Sequence, residues 1–128
     1  MSASYLTFEE AKQKLRDATR IVLDTEKDFK GAAERAADAE AVYRSELAKA
    51  LKAHRAEGRA VAEAVTLAHA EVVVHSRERD YAASMLKLAG ERLEDARDSR
   101  RSLWRLVTWS MEHDRGAAPE NTPGAEWP

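Results

Sequence analysis

The stretch His54-Arg55-Ala56-Glu57-Gly58-Arg59 decides the fold, because it is the place in a long proline-free segment where a helix is predicted to end. The first proline of the chain is Pro119. Glycine readily takes the left-handed backbone conformation that terminates helices, so Gly58 marks the boundary between two helices. We predict helices over about 8–56 and 60–113, joined by a short turn near Gly58.

Residues that are mostly small or apolar, with a few polar exceptions, recur at alternating spacings of three and four on both sides of this turn. Before the turn they are Phe8, Ala11, Leu15, Ala18, Val22, Thr25, Phe29, Ala32, Ala36, Ala39, Tyr43, Leu47, Ala50 or Leu51, and His54. After the turn they are Val61, Val65, Ala68, Val72, His75, Arg79, Ala82, Leu86, Ala89, Leu93, Ala96, Arg100, Leu103, Val107 and Ser110. Sustained 3.5-residue spacing is typical of a left-handed coiled coil, and a short turn makes its partners antiparallel. The sequence therefore predicts an all-α fold, a long antiparallel two-helix hairpin.

The ends of the chain differ in character from this hairpin. Thr7 and Glu10 have the spacing of a capping box, which predicts a helix start. We therefore divide the chain into an N-terminal arm over 1–6, a helical hairpin over 7–115 and a tail over 116–128. The tail holds three prolines and two glycines, a composition that predicts disorder.

Composition restricts the classes of function. Charged residues make up 34% of the chain, and the net charge of -2 argues against a general nucleic-acid coat protein. The sequence has no cysteine, which excludes disulfides and cysteine-ligated zinc. It also shows neither a signal peptide nor the roughly 18 apolar residues of a membrane span. We expect a cytoplasmic protein without membrane contact.

Several seam positions are cationic, and the register of the hairpin predicts a carboxylate within a turn on the other helix for each one. The expected neighbours are Arg100 with Asp17, Arg79 with Asp38 and Glu40, and His75 with Tyr43 and Glu46. Such pairs fix the register of a coiled coil at some cost in stability. The other interpretation is a buried polar site in the middle of the hairpin.

Sequence motifs for catalysis or for metal binding are weak. Glu71 and His75 have the i, i+4 spacing of two metal ligands on one helix face, but no HExxH motif accompanies them. The sequence also lacks a nucleophile on a strained turn and a glycine-rich phosphate loop. We predict no catalytic residue, no metal and no cofactor, and hence no enzyme.

A second apolar stripe follows the second helix beside the seam. Leu67, Val74, Tyr81 and Leu88 recur every seven residues. A two-helix hairpin cannot cover both stripes, so we predict that these residues form an oligomer interface in a helical bundle. A bent hairpin or a contact from the N-terminal residues would also cover the stripe.

A basic-aromatic patch lies near the end of the second helix. Its members are Arg97, Arg101, Trp104, Arg105 and Trp109. Arginine and tryptophan together suit a protein-binding hot spot, and they also suit phosphate contact with base stacking. The third interpretation is structural, with arginines that complement the helix dipole and tryptophans that cover the end of the hairpin.

The middle of the chain resembles small helical proteins encoded by tailed bacteriophages. The matching residues are Val42-Tyr43-Arg44, Leu47, Glu57-Gly58, Ala68, Val72, Arg77-Glu78-Arg79-Asp80, Ala82, Leu86-Lys87 and Arg100-Arg101. The resemblance implies an accessory factor encoded near replication and recombination functions, and the alanine-, arginine- and glutamate-rich composition is similar to that of proteins from actinobacterial phages.

These observations lead to one functional hypothesis and one alternative. The first is a non-enzymatic, homo-oligomeric interaction protein that acts through its helical faces on an unidentified protein partner, as an accessory to phage replication or recombination or as a modulator of a host protein. The alternative is a nucleic-acid-binding factor that uses the basic-aromatic patch.

Overall fold

The computed structural model describes residues 7–114, and its ordered elements are all α-helices. Helix α1 is Phe8–Ala56, α2 is Val61–Glu71 and α3 is Val73–Asp114. The all-α prediction is therefore confirmed for these residues. The predicted arm over 1–6 and the predicted tail over 116–128 lie outside the described residues.

Helix α1 begins with the predicted capping box. The backbone N–H of Thr7 donates to Glu10 Oε1 over 3.0 Å, and the N–H of Glu10 donates to Thr7 Oγ1 over 3.1 Å. Each side chain thus satisfies a backbone donor that the first helical turn leaves without a partner. The hydrogen bond from the Thr7 backbone, followed by that from its side chain, holds the pKa of Glu10 below its usual 4.5.

The turn after α1 depends on Gly58, as predicted. Gly58 has φ 86°, and it is the residue with positive φ among those described. Its N–H donates to the carbonyl of Arg55 over 3.0 Å, and the N–H of Arg59 donates to the carbonyl of His54 over 3.3 Å. This pair of bonds is a Schellman motif, which satisfies two of the last carbonyls of the helix.

The second predicted helix, 60–113, is interrupted at one residue. Val72 has φ -101° and ψ 20°, away from the regular helical values, and it separates α2 from α3. Hydrogen bonds from Val72 N–H to Ala68 O and from Ser76 N–H to Val72 O span the interruption. Three consecutive β-branched valines, 72–74, crowd the backbone here, which explains a break that a seam pattern alone does not predict.

The chain divides into two compact units, and the first comprises residues 7–27 and 91–114 of the described chain. Its core contains Ala11, Leu15 and Val107, with four partly buried side chains packed against them: Phe8, Leu103, Trp104 and Met111. Most of these residues are large and apolar. Their packing supplies the hydrophobic free energy of this unit.

The second unit, Asp28–Gly90, has a thinner core. Its buried apolar residues are Ala32, Tyr43, Ala64, Ala68, Val72 and Ala89. A Cβ atom on Gly90 would lie 3.4 Å from the Phe29 ring, so glycine allows a close approach there.

Two seam predictions in α2 were wrong. Val61 is 59% exposed and Val65 is also exposed, whereas Ala64 is fully buried. The seam enters α2 through Ala64 because the Schellman turn sets the direction of the new helix, and counting heptads across a turn ignores that rotation.

Candidate functional site

A groove lies on the surface of the first unit. It has a volume of about 610 Å³, and its walls come from the N-terminal part of α1 and the C-terminal part of α3. Five of the eight lining residues are apolar: Phe8, Leu15, Trp104, Val107 and Met111. The volume lies within the usual range of ligand pockets.

The polar part of the groove is basic. Lys12, Arg16 and Thr19 complete its lining, all on α1. The Lys12 ammonium lies 5.0 Å from the centre of the Phe8 ring and 3.4 Å from Glu9 Oε2, and Arg16 donates to the side-chain oxygen of Gln13 over 3.3 Å. Two cations therefore border an apolar floor, one of them held against an aromatic face.

Charge is unevenly distributed within this unit. Residues 7–20 and 99–112, which include the groove, carry seven lysines and arginines against four carboxylates. Residues 21–27 and 91–98 carry three against six. The groove thus lies in a positive part of a chain whose net charge is -2.

Two arginines of the basic-aromatic patch are paired with carboxylates. Arg97 Nη2 lies 3.3 Å from Glu26 Oε2, and Arg101 Nη1 lies 2.7 Å from Asp98 Oδ1. Both side chains are exposed, so each ion pair contributes little to stability. These carboxylates reduce the positive potential that either arginine offers to a phosphate.

The remaining patch residues differ in how far they are exposed. Trp104 is half-buried against the apolar core and lines the groove, whereas Arg105 and Trp109 are exposed. The sequence predicted the patch as one surface, but it did not separate a tryptophan directed toward the core from one on the outside. Lys12 and Arg16 were missed as site residues because they lie on the other helix.

The second stripe is mostly exposed. Val74 is 62% exposed and Tyr81 is 68% exposed, whereas Leu88 is 38% exposed. Leu67 is half-buried and contributes less open surface. Met85, which is also exposed, lies between Tyr81 and Leu88 and extends the stripe.

A polar contact joins α1 and α2 beside the turn in the second unit. The buried imidazole of His54 lies with Nε2 at 2.6 Å from Glu71 Oε1 and with Nδ1 at 2.5 Å from Arg59 Nη1. An arginine N–H can only donate, so Nδ1 accepts and Nε2 carries the proton that is donated to Glu71. Arg59 also contacts Glu57.

A second polar contact surrounds Tyr43. Its hydroxyl lies 3.4 Å from His69 Nδ1, and the Arg79 guanidinium lies 4.0 Å from its ring centre. Burial lowers the pKa of Arg79, but the hydrogen bond and the negative charge of Asp80 outweigh that effect and leave the pKa raised. Arg79 therefore stays charged above the tyrosine ring.

Two of the seam cations, Arg79 and His75, lie beside carboxylates of their own helix and not beside the predicted ones. Arg79 pairs with Asp80 of its own helix, and His75 Nδ1 lies 3.9 Å from Glu78 of its own helix. That nitrogen is buried without a hydrogen-bond partner. Asp17, the predicted neighbour of Arg100, accepts from Gln13 instead. Partners that lie one residue or one turn away on the same helix are reached without ordering a long side chain across the seam, which explains the difference.

Other kinds of site find no support in the described chain. Across residues 7–114, no three histidine, aspartate or glutamate side chains cluster closely enough to hold a metal ion. None of the helices described is both long and apolar enough to cross a bilayer.

Comparison with known proteins gives no indication of function, so function is inferred from the groove and the stripe. No family model matches the sequence, and searches of curated proteins and of solved structures find no significant match.

Proposed function

We propose that this protein is a non-enzymatic interaction factor, an antiparallel coiled-coil hairpin that self-associates through the outer face of α3. The observation that carries the proposal is the exposure of Val74 and Tyr81, two large apolar residues seven positions apart on one helix face. Contiguous exposed apolar surface on a helix is typical of an interface. Leu88, seven residues further on, continues it.

The spacing of the exposed residues favours a helical partner. Val74, Glu78, Tyr81, Met85 and Leu88 alternate at intervals of four and three, which is the pattern of a second heptad seam. Glu78 is a polar position within this seam, and such positions select register and partner in helical bundles. A second copy of α3 supplies a matching seam, so we infer a helical bundle of hairpins.

The biological setting rests on the resemblance to phage proteins over the middle of the chain. It favours an accessory role in phage replication or recombination, or modulation of a host protein, in the bacterial cytoplasm. Nucleic-acid binding through the basic-aromatic patch has less support, because Arg97 and Arg101 already pair with Glu26 and Asp98.

Sedimentation equilibrium tests the self-association. The parent protein at micromolar concentration is expected to show at least twice the 14.3 kDa mass of one chain. Val74→Glu combined with Tyr81→Glu is expected to shift the mass toward the monomer while the circular dichroism spectrum stays helical, because both side chains are already exposed. A monomeric parent would contradict the proposal.

A matched control introduces the same charge elsewhere in the same unit. Val42 and Val61 are exposed valines outside the stripe. Val42→Glu combined with Val61→Glu is expected to leave the mass of the parent unchanged. An equal loss of mass in both double variants would mean that added negative charge, and not the stripe, governs assembly.

A further inference from the structure

We propose that the groove between Phe8 and Met111 binds a short amphipathic helix of a partner protein whose apolar face is bordered by carboxylates. This inference rests on the proposed interaction function and names the chemistry of a partner. It concerns a surface in the first unit, whereas the self-association stripe belongs to the second.

The dimensions of the groove suit a helix of about three turns. Phe8 and Thr19 mark its ends on α1, and eleven residues of α-helix rise about 16 Å. A bound helix presents side chains at i, i+4 and i+7 along one face, which extend about 10 Å. The groove is therefore long enough for three anchoring side chains.

Because the floor of the groove is apolar, we expect the anchoring side chains of the partner helix to be apolar as well. Leu15, Val107 and Trp104 belong to the hydrophobic core of this unit, yet all three also line the groove. Apolar anchors that cover the half-buried Phe8, Trp104 and Met111 remove hydrocarbon surface of both molecules from water. Trp104 supplies a large, rigid surface of the kind that dominates binding energies at interfaces.

The rim determines the charge of the partner. Lys12 and Arg16 are separated by one helical turn on the same wall, so a partner with carboxylates one turn apart can meet both. The surplus of lysine and arginine over residues 7–20 and 99–112 extends the same sign beyond the two contacts. Charge complementarity thus selects an acidic helix over a basic one.

Fluorescence anisotropy with the full-length protein tests the proposal. The probe is a labelled synthetic peptide of about 14 residues with leucine anchors at i, i+4 and i+7 and glutamates at the flanking positions. Two further peptides serve as controls, one with lysines in place of the glutamates and one with serines in place of the leucines. We expect saturable binding of the first peptide and at least about tenfold weaker binding of both controls.

Protein variants locate the binding at the groove. Lys12→Glu combined with Arg16→Glu is expected to weaken the acidic peptide by at least about tenfold and to strengthen the lysine peptide. The matched control is Lys14→Glu combined with Arg20→Glu, which makes the same charge change on exposed positions of α1 outside the groove. The control is expected to change the affinity by less than about threefold, since exposed charges at a distance are screened.

Four outcomes would overturn the proposal. The first three are no binding of the acidic peptide, equal binding of the lysine peptide, and equal effects of the two double variants. The fourth is displacement of the bound peptide by dodecanoate at a lower concentration than by unlabelled peptide. That result would assign the groove to a long-chain carboxylate. Self-association is measured separately and depends on Val74 and Tyr81. A monomeric parent protein would therefore leave the peptide-binding result interpretable. Failure of peptide binding would likewise leave the measurement of self-association interpretable.

Discussion

Both compact units of this protein are built from packed helices, but different side chains hold the helices together in each unit. In the first unit, Leu15 and Val107 pack with Phe8 and Trp104 in an apolar cluster. In the second unit, the seam relies on alanines and on polar contacts such as His54 with Glu71.

This difference separates two ways of using a helix pair. Large apolar residues provide hydrophobic free energy but leave space between the helices, and the groove of about 610 Å³ lies in the unit that contains them. Alanines allow close approach with little open space, and directional hydrogen bonds then specify the register. A groove and a well-specified register are therefore expected in different parts of the molecule.

Truncation of Leu15 is expected to have the largest effect. Leu15 is 7% exposed, so Leu15→Ala removes a buried side chain and leaves a cavity, at a cost of about 2–5 kcal/mol in the free energy of unfolding. Leu23→Ala is the matched control, because Leu23 belongs to the same helix and unit but is 55% exposed. Its cost is expected to stay within about 0.5 kcal/mol. Urea denaturation followed by circular dichroism measures both, and equal losses would contradict the assignment of the core.

The second unit is expected to respond to the opposite change, enlargement of a seam residue. Ala68 is fully buried, so Ala68→Leu forces the helices apart and costs about 1–3 kcal/mol. Ala70→Leu, at an exposed position of the same helix, controls for the change in residue type. The same urea denaturation applies. If Ala68→Leu is as stable as the parent, the helices do not approach closely at this point.

Local signals in the sequence predicted local structure well. The capping box of Thr7 and Glu10 and the left-handed Gly58 were both identified correctly, because each depends on a few neighbouring residues. The burial of Ala64 in place of Val61 was not predicted, because it depends on how the chain leaves the turn. Valine is larger and more apolar than alanine, so a prediction based on these properties placed Val61 in the seam, which was wrong.

The site was less predictable than the fold. Trp104 and the arginines near it stood out by composition, but a patch defined on one helix could not identify Lys12 and Arg16 on another. The polar pairs were also misassigned, because carboxylates of the same helix are within easier reach than those across the seam. Arg79, for example, has Asp80 and the Tyr43 ring as its contacts.

The hydrogen bond between His54 and Glu71 provides a smaller and more specific test of the polar seam. Glu71→Ala removes the acceptor of a buried imidazole N–H, and the expected loss is about 1 kcal/mol. Glu71→Gln is the matched comparison, because it removes the same charge but keeps a side-chain oxygen that can accept the hydrogen bond. The glutamine variant is expected to be the more stable of the two in urea denaturation. Equal stability would mean that the hydrogen bond contributes nothing beyond the charge.

The smallest expected effect concerns the acid dependence of the cap on α1, which belongs to the apolar first unit. The hydrogen bonds from Thr7 lower the pKa of Glu10 below its usual 4.5 in the folded protein, so the folded state favours the carboxylate. The resulting stabilisation is present in full above the unfolded pKa, and it is lost as the pH falls through the lowered folded pKa. The midpoint of thermal unfolding of the parent, relative to that of Glu10→Gln, is therefore expected to decrease between about pH 6 and about pH 3. In a Thr7→Ala background, which lacks the side-chain contribution of Thr7 to this lowering of the pKa, the decrease is expected to be smaller. A difference between parent and Glu10→Gln that stays constant over this pH range would show that the cap does not couple to the titration of Glu10.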